Sequence, residues 1–241
     1  MHYSGWQKQK NAHSVQEELE QKLSIILAEP SSVKGAGRTD AGVHARQQFV
    51  HFDTEVNITP NFLYRLNCLL SPYIAAYALY EPTPQTLDAR RDAVWRVYKY
   101  YIVKKKNPFY QSLVLPFFRK LDIERMNRAS LHLIGKKDFA SFCKAHGQQK
   151  TTICDIRYAK WQDKGDFIIF TIKANRFLRG MVRAIVGTLL TIGLEKKSIE
   201  ELLNLLEAKD RTLAGENVEP YGLYLHRIFY PPESLKPIII I

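Results

Sequence analysis

The chain has 241 residues, 46% hydrophobic and 24% charged, with no low-complexity tract, so it can bury a real core and is not a disordered segment. Lys and Arg number 35 against 24 Asp and Glu, and the formal charge of +11 favours a polyanionic partner such as nucleic acid while equally fitting a basic protein with scattered lysines. Cys68, Cys143 and Cys154 are too widely spaced for a metal knuckle or a disulfide framework and are expected to be reduced core residues, and the longest apolar stretch, 184–194, is shorter than the roughly 20 residues of a membrane span.

Residues 1–14 are polar and carry no apolar signal core, so a cytoplasmic protein is expected. Ser14 and Glu17 form a capping-box pair ahead of Leu19, Leu23, Ile26 and Leu27, whose spacing predicts an amphipathic helix that stops at Glu29-Pro30. Strand character follows at 32–34 and 47–52, with a Gly-rich turn, 35–44, between them. Thr59-Pro60 predicts a second helix running to Leu70, and 74–80 reads as a strand. The proline-bearing stretch 81–84 is the expected boundary between an N-terminal half, 1–84, and a C-terminal half, 85–241.

In the second half, 93–103 reads as a strand with Val94, Arg96, Tyr98, Tyr100 and Ile102 on one face and Trp95, Val97, Lys99 and Tyr101 on the other. A helix is expected from Asp122 to near Gly135, strands at 152–161, 166–174 and 223–230, and a helix capped by Ser198 and Glu201. A further helix over 177–192 has apolar residues on most of its circumference, with Arg183 in the middle. A buried arginine needs a carboxylate partner or a cleft. Gly187, one turn later, leaves room for a close approach.

Asp40 lies between Gly37 and Gly42, with Arg38 before it and His44 after it. A carboxylate on such a turn suits catalysis, although an aspartate in a Gly-rich loop commonly does no more than cap the turn. The run Gly37-Arg-Thr-Asp-Ala-Gly-Val-His44 resembles the active-site signature of the tRNA pseudouridine synthase A family, whose aspartate is catalytic. The likeness continues in family order through Tyr3-Ser-Gly-Trp-Gln7, Arg96-Val-Tyr-Lys-Tyr100, Asp138-Phe-Ala-Ser-Phe142, Lys173-Ala-Asn175, Met181-Val-Arg183 with Gly187, and Leu223-Tyr-Leu225.

The resemblance implies an α+β pseudouridine synthase fold of two similar sheet-and-helix halves with a central cleft. It also implies isomerisation of uridine to pseudouridine at positions 38, 39 and 40 of the tRNA anticodon stem-loop, with no cofactor or metal, and a homodimer. The reaction breaks the N1–C1′ bond, turns the uracil and rejoins it through C5. A single carboxylate could serve it either by attacking C1′ or by driving elimination to a glycal-like intermediate. On this resemblance Asp40 is the catalytic carboxylate, Arg183 its partner, and Tyr98 the residue that stacks on the uracil and helps to remove the C5 proton.

The target base must be flipped out of the stem, and Arg38 is the candidate to fill the vacated space. Arg176 and Arg179, read as a basic stripe on the helical face of Arg183, are expected to contact RNA, with Arg90-Arg91, Lys104-Lys-Lys106 and Lys136-Lys137 as outer phosphate contacts. His44 and His51 lack a second ligand at zinc spacing and are read as structural.

Two departures stand out. The family has an apolar strand ending in Asp-Gly ahead of the Tyr-x-Gly-Trp-Gln segment, whereas this sequence opens at Met1-His2-Tyr3, and the expectation is that its start has been placed too late. Gln47 stands where the family usually has glycine. The rival readings are a noncatalytic RNA-binding protein, for which the charge and the aromatic strand would suffice, and a hydrolase of the glycosidic bond, which would need a carboxylate pair or a metal.

Overall fold

In the computed structural model, which describes residues 2–144 and 151–241, the elements begin with α1 (Val15–Leu27), β1 (Lys34–Gly35), β2 (His44–Ala45), β3 (Val50–His51), α2 (Phe62–Leu69), β4 (Ala78–Pro82) and β5 (Trp95–Val103). They continue with β6 (Leu115–Pro116), α3 (Ile123–Leu131), β7 (Gly135–Asp138), β8 (Ile153–Lys164), β9 (Phe167–Ala174), α4 (Met181–Gly193), α5 (Ile199–Ala208), β10 (Leu223–Phe229) and β11 (Leu235–Ile240). The chain divides into two compact units, one of Met1–Gly42, Gln47–Val94 and Ile228–Ile241, the other of Val43–Arg46 and Trp95–Arg227.

In the first unit, α1 begins where the Ser14 hydroxyl accepts the Glu17 N–H, 3.2 Å, while the Glu17 carboxylate lies 3.5 Å from His13. The helix ends at Leu27 because Ala28 takes a left-handed conformation, φ 55°, just before the expected stop. The second helix starts later than its sequence signal. Thr59 and Pro60 form a turn instead, in which Phe62 N–H donates to the Thr59 carbonyl, 3.0 Å, and the N-cap is Asn61. Leu23 and Leu27 of α1 pack with Phe62, Leu63 and Leu66 of α2 and with Trp6, Val33 and Leu70 in one apolar core.

β1 pairs antiparallel with β3, and β4 with β11. The strand expected at 74–80 starts only at Ala78, because the Asn67 side chain holds both the N–H and the carbonyl of Ala76 and keeps 74–77 out of a ladder. β11 was not anticipated. Cys68 is exposed rather than core, whereas Cys143 and Cys154 are buried and burial pushes the Cys154 thiol up to about 12.

The second unit is built on a seven-stranded mixed sheet in the order β2-β10-β5-β9-β8-β7, with β6 beside β5. β5 pairs antiparallel with β9, β9 with β8 and β8 with β7, whereas β2 pairs parallel with β10 and β6 parallel with β5. The alternation expected along β5 holds. Tyr98, Tyr100 and Ile102 are buried with Ile168, Phe170 and Ile172 of β9, and Trp95, Val97, Lys99 and Tyr101 opposite are half-buried, whereas Val94 precedes the strand and is exposed. α3, capped by Asp122, packs on β8 and α4, and α5 opens with both bonds of the Ser198–Glu201 capping box. No helix among the described residues is long and apolar enough to cross a membrane.

One buried carboxylate ties the first unit together. Glu18, in α1, accepts the Tyr3 hydroxyl at 2.6 Å and the Ser71 N–H at 2.8 Å, and His13 Nε2 stands 3.2 Å away. Burial disfavours its charge, but the bonds from Tyr3, Ser71 and His13 outweigh burial and hold the carboxyl below the usual glutamate range. A depressed folded-state value means that the stabilisation is present above the unfolded pKa and is lost as pH falls through the folded one. Glu18→Gln turns an acceptor oxygen into a donor facing donors. In urea unfolding it is expected to cost about 1–3 kcal/mol near neutral pH, the deficit against the parent shrinking as pH falls below the ordinary carboxylate range.

Candidate active site

The turn between β1 and β2 has no ladder of its own, so its shape comes from contacts to its backbone. Ala36 N–H donates to the Phe49 carbonyl at 2.8 Å, Gln48 Nε2 to the Gly37 carbonyl at 2.8 Å, and Trp6 N–H to the Thr39 carbonyl at 3.1 Å. Gly42 closes the turn at φ 78°, a conformation open to glycine. Asp40 is presented half-buried and Arg38 exposed. Gln47 also finds a use, since its Oε1 accepts the Ile228 N–H at 2.9 Å, a bond that glycine cannot make.

In the second unit, Tyr98 sits on the inward face of β5, opposite Ile172 of β9 and edge-on to Phe177, with ring centroids 5.1 Å apart. Arg183 is half-buried in α4, whose other residues from Met181 to Leu190 are buried. Its Nε donates to the Val218 carbonyl at 2.6 Å, and the Tyr100 hydroxyl donates to the next carbonyl, Glu219, at 2.8 Å. Adjacent peptide groups thus hold the Arg183 helix to the tyrosine strand. Burial and then Tyr221 push the Tyr100 phenol upward, and the Arg183 charge opposes them.

The segment that supplies these carbonyls lies flat on α4 because glycines let it. A β-carbon on Gly187 would stand 2.0 Å from the Glu216 carbonyl oxygen, and one on Gly222 would stand 2.7 Å from the Tyr100 ring. The Thr188 hydroxyl accepts the Gly215 N–H at 3.2 Å, and Arg211 reaches the Gly215 carbonyl and the Asn217 side chain. The close approach expected at Gly187 is therefore present, but the approaching strand of backbone, 215–219, went unnoticed in the sequence. The pairing of Gly187 with Gly215 was its only signal.

Arg176 and Arg179 need a correction. The helix begins at Met181, after Gly180 in the left-handed conformation, so neither arginine shares a helical face with Arg183. They lie on the preceding irregular segment, Arg179 exposed and Arg176 half-buried. Phe177 and Leu178, the first half-buried and the second buried, precede the helix in irregular backbone.

His44 stacks on Tyr224, with centroids 4.7 Å apart, and its Nε2 is 3.1 Å from the Ser112 carbonyl, while His51 Nδ1 accepts the Ala89 N–H at 2.9 Å. Near Tyr224, burial and then the charges of Lys99, Arg46 and Arg227 hold His226 below the ordinary histidine range. Arg157 and Lys173 both lie 5.4 Å from the centre of the Trp95 ring. This face of the second unit is cationic and aromatic. By contrast, Lys104 and Lys105 pair with Asp163 and Asp166, at 2.8 and 3.5 Å.

Residues 129–231 match a family model described as tRNA pseudouridine synthase, a span that includes Arg183, Gly187 and the 215–219 segment. Across 98% of its length the chain is 45% identical to the tRNA pseudouridine synthase A of Parabacteroides distasonis, 94% of which is covered. It is 44% identical to that of Porphyromonas gingivalis (96% of this chain, 93% of the relative) and 43% to that of Azobacteroides pseudotrichonymphae (95% and 92%). The chain belongs to the tRNA pseudouridine synthase A family.

Gly187→Ala forces a methyl group into the Glu216 carbonyl and must lift the 215–219 segment from α4. Overpacking of this kind is expected to cost about 1–3 kcal/mol, read as a lower urea midpoint with unchanged slope.

Proposed function

We propose that this chain isomerises uridine to pseudouridine in tRNA, at positions 38, 39 and 40 of the anticodon stem-loop, with Asp40 as the catalytic carboxylate. The observation that carries the reading is the tethered turn, which presents a half-buried aspartate on a backbone held at Gly37 and Thr39, in a chain related to tRNA pseudouridine synthases along nearly its whole length.

The chemistry needs few parts. The N1–C1′ bond breaks, the uracil turns while bound, C5 bonds to C1′, the C5 proton leaves, and N1 is left protonated, with no redox change and no water consumed. Asp40, ionised, supplies the negative charge at the sugar. Arg183 is its proposed partner, which would orient it. In this reading Asp40, Arg183 and Tyr98 act on one uridine in the central active-site cleft that the family likeness implies. Tyr98 stacks on the base and takes part in removing the C5 proton, and Arg38 fills the space left by the flipped nucleotide. Arg176 and Arg179 contact RNA, and the assembly is a homodimer.

The test is release of tritium from C5-labelled uridine in a tRNA transcript. The parent is expected to release it without free uracil, and Asp40→Asn to lower the rate on the order of 10⁴-fold, the scale of losing a catalytic aspartate. Binding without release by the parent would favour a noncatalytic RNA-binding protein. Arg183→Met is expected to lower kcat about 10²-fold with tRNA affinity nearly intact, and an equal loss of affinity in a filter-binding titration would remove its assigned role.

A further inference from the structure

Gly5 lies directly against the peptide groups that carry Asp40. A β-carbon there would stand 2.7 Å from the Thr39 carbonyl oxygen, 3.1 Å from the Ala41 nitrogen and 3.2 Å from the Asp40 carbonyl carbon. All three are backbone atoms, which cannot swing aside as the end of a flexible side chain can. The Gly5 backbone also has φ +97°, a conformation that L side chains rarely adopt.

Trp6 continues the same support. Its N–H donates to the Thr39 carbonyl at 3.1 Å, and its buried indole lies against Gly35, where a β-carbon would come within 2.5 Å of Cε2 and Cζ2. The pair is itself fixed to α1. The Gly5 carbonyl accepts the Val15 N–H at 3.2 Å and the Trp6 carbonyl the Gln16 N–H at 3.0 Å, while Tyr3 is held by Glu18. The catalytic turn thus rests, at Gly35 and at 39–41, on a two-residue bed bolted to the first turn of a helix.

We propose that Gly5 and Trp6 are positioning residues for the reaction: their close packing sets the height and tilt of the Asp40 peptide, and through it the carboxylate. This rests on the reading of Asp40 as the catalytic carboxylate. Neither residue need touch RNA for the effect. A displacement of about 1 Å at the reacting group is enough to cost roughly 10²-fold in rate while binding, spread over many phosphate contacts, is untouched.

The experiment compares kcat and KM for tritium release, tRNA Kd and urea unfolding in the parent, Gly5→Ala, Trp6→Phe and Gly165→Ala. Gly165 has φ +65° and nothing within 4 Å of its β-carbon position, so an alanine there brings backbone strain without a contact to displace. For Gly5→Ala a roughly 10²-fold fall in kcat is expected, with KM and Kd within about threefold of the parent. Trp6→Phe, which removes the part of the indole facing Gly35, is expected to lose about tenfold in kcat with Kd unchanged. Gly165→Ala is expected to keep parental kcat.

A folded Gly5→Ala protein with parental kcat overturns the inference. So does a loss that appears in KM and Kd rather than kcat, or an equal loss in Gly165→Ala. Should Gly5→Ala not fold, Trp6→Phe decides, and parental kcat there overturns it. Failure of the functional reading is distinguishable, because it shows as a parent without tritium release, which overturns both.

Discussion

Close packing of backbone on backbone, possible only where a side chain is absent, is the constraint on which the Asp40 turn and the segment beside Arg183 depend. The turn carrying Asp40 and the segment 215–219 are irregular, and neither has a ladder to fix its path. Each is instead pressed against a regular or anchored element at a glycine, Gly5 for the Thr39–Ala41 peptides and Gly187 for Glu216. Contacts at this range leave no slack, so a small side chain at either position must move main chain. The carbonyls placed in this way then serve as acceptors for Trp6 N–H and for Arg183 Nε.

The rest of the architecture supplies stiff mounts for these segments. In the first unit, α1 and α2 close an apolar core around Trp6, and Glu18 links Tyr3 to Ser71, so the N-terminal strand of chain is tied to both helices. In the second, long antiparallel strands β5, β9 and β8 bury one face under α3 and α4, and Tyr100 reaches out of that core to Glu219. Charge inside α4 is tolerated because Arg183 has a carbonyl within hydrogen-bonding distance.

Local signals in the sequence held at Ser198–Glu201, at Asp122 and along β5, where a short-range interaction decides the outcome. Ser198 and Glu201 satisfy each other's backbone within one turn, Asp122 caps α3 by itself, and β5 alternates because the pleat imposes a period of two. The signals gave way where a hydrogen bond or a backbone conformation outside the pattern takes over. Thr59-Pro60 has helix-start chemistry but forms a turn, the Asn67 side chain delays β4, and apolar Phe177 and Leu178 mimic an extra helical turn ahead of Gly180. β2 and β11 were invisible because two residues give no period, and because a strand ending in Lys-Pro-Ile-Ile-Ile is recognisable only by its partner β4.

Asp40, Tyr98 and Arg183 were legible as residues of interest because a glycine-rich turn, an alternating strand and a charge in an apolar helix are anomalies of sequence. The sequence by itself therefore determined the family and the turn, strand face and helix that carry Asp40, Tyr98 and Arg183. Only the tertiary structure decided how those residues are held. The Val218 and Glu219 carbonyls, the Gly5–Trp6 bed and the Gln47 bond to Ile228 join positions far apart in the chain. A main-chain acceptor is chemically identical at every residue, so no side-chain pattern announces which carbonyl a distant donor will find.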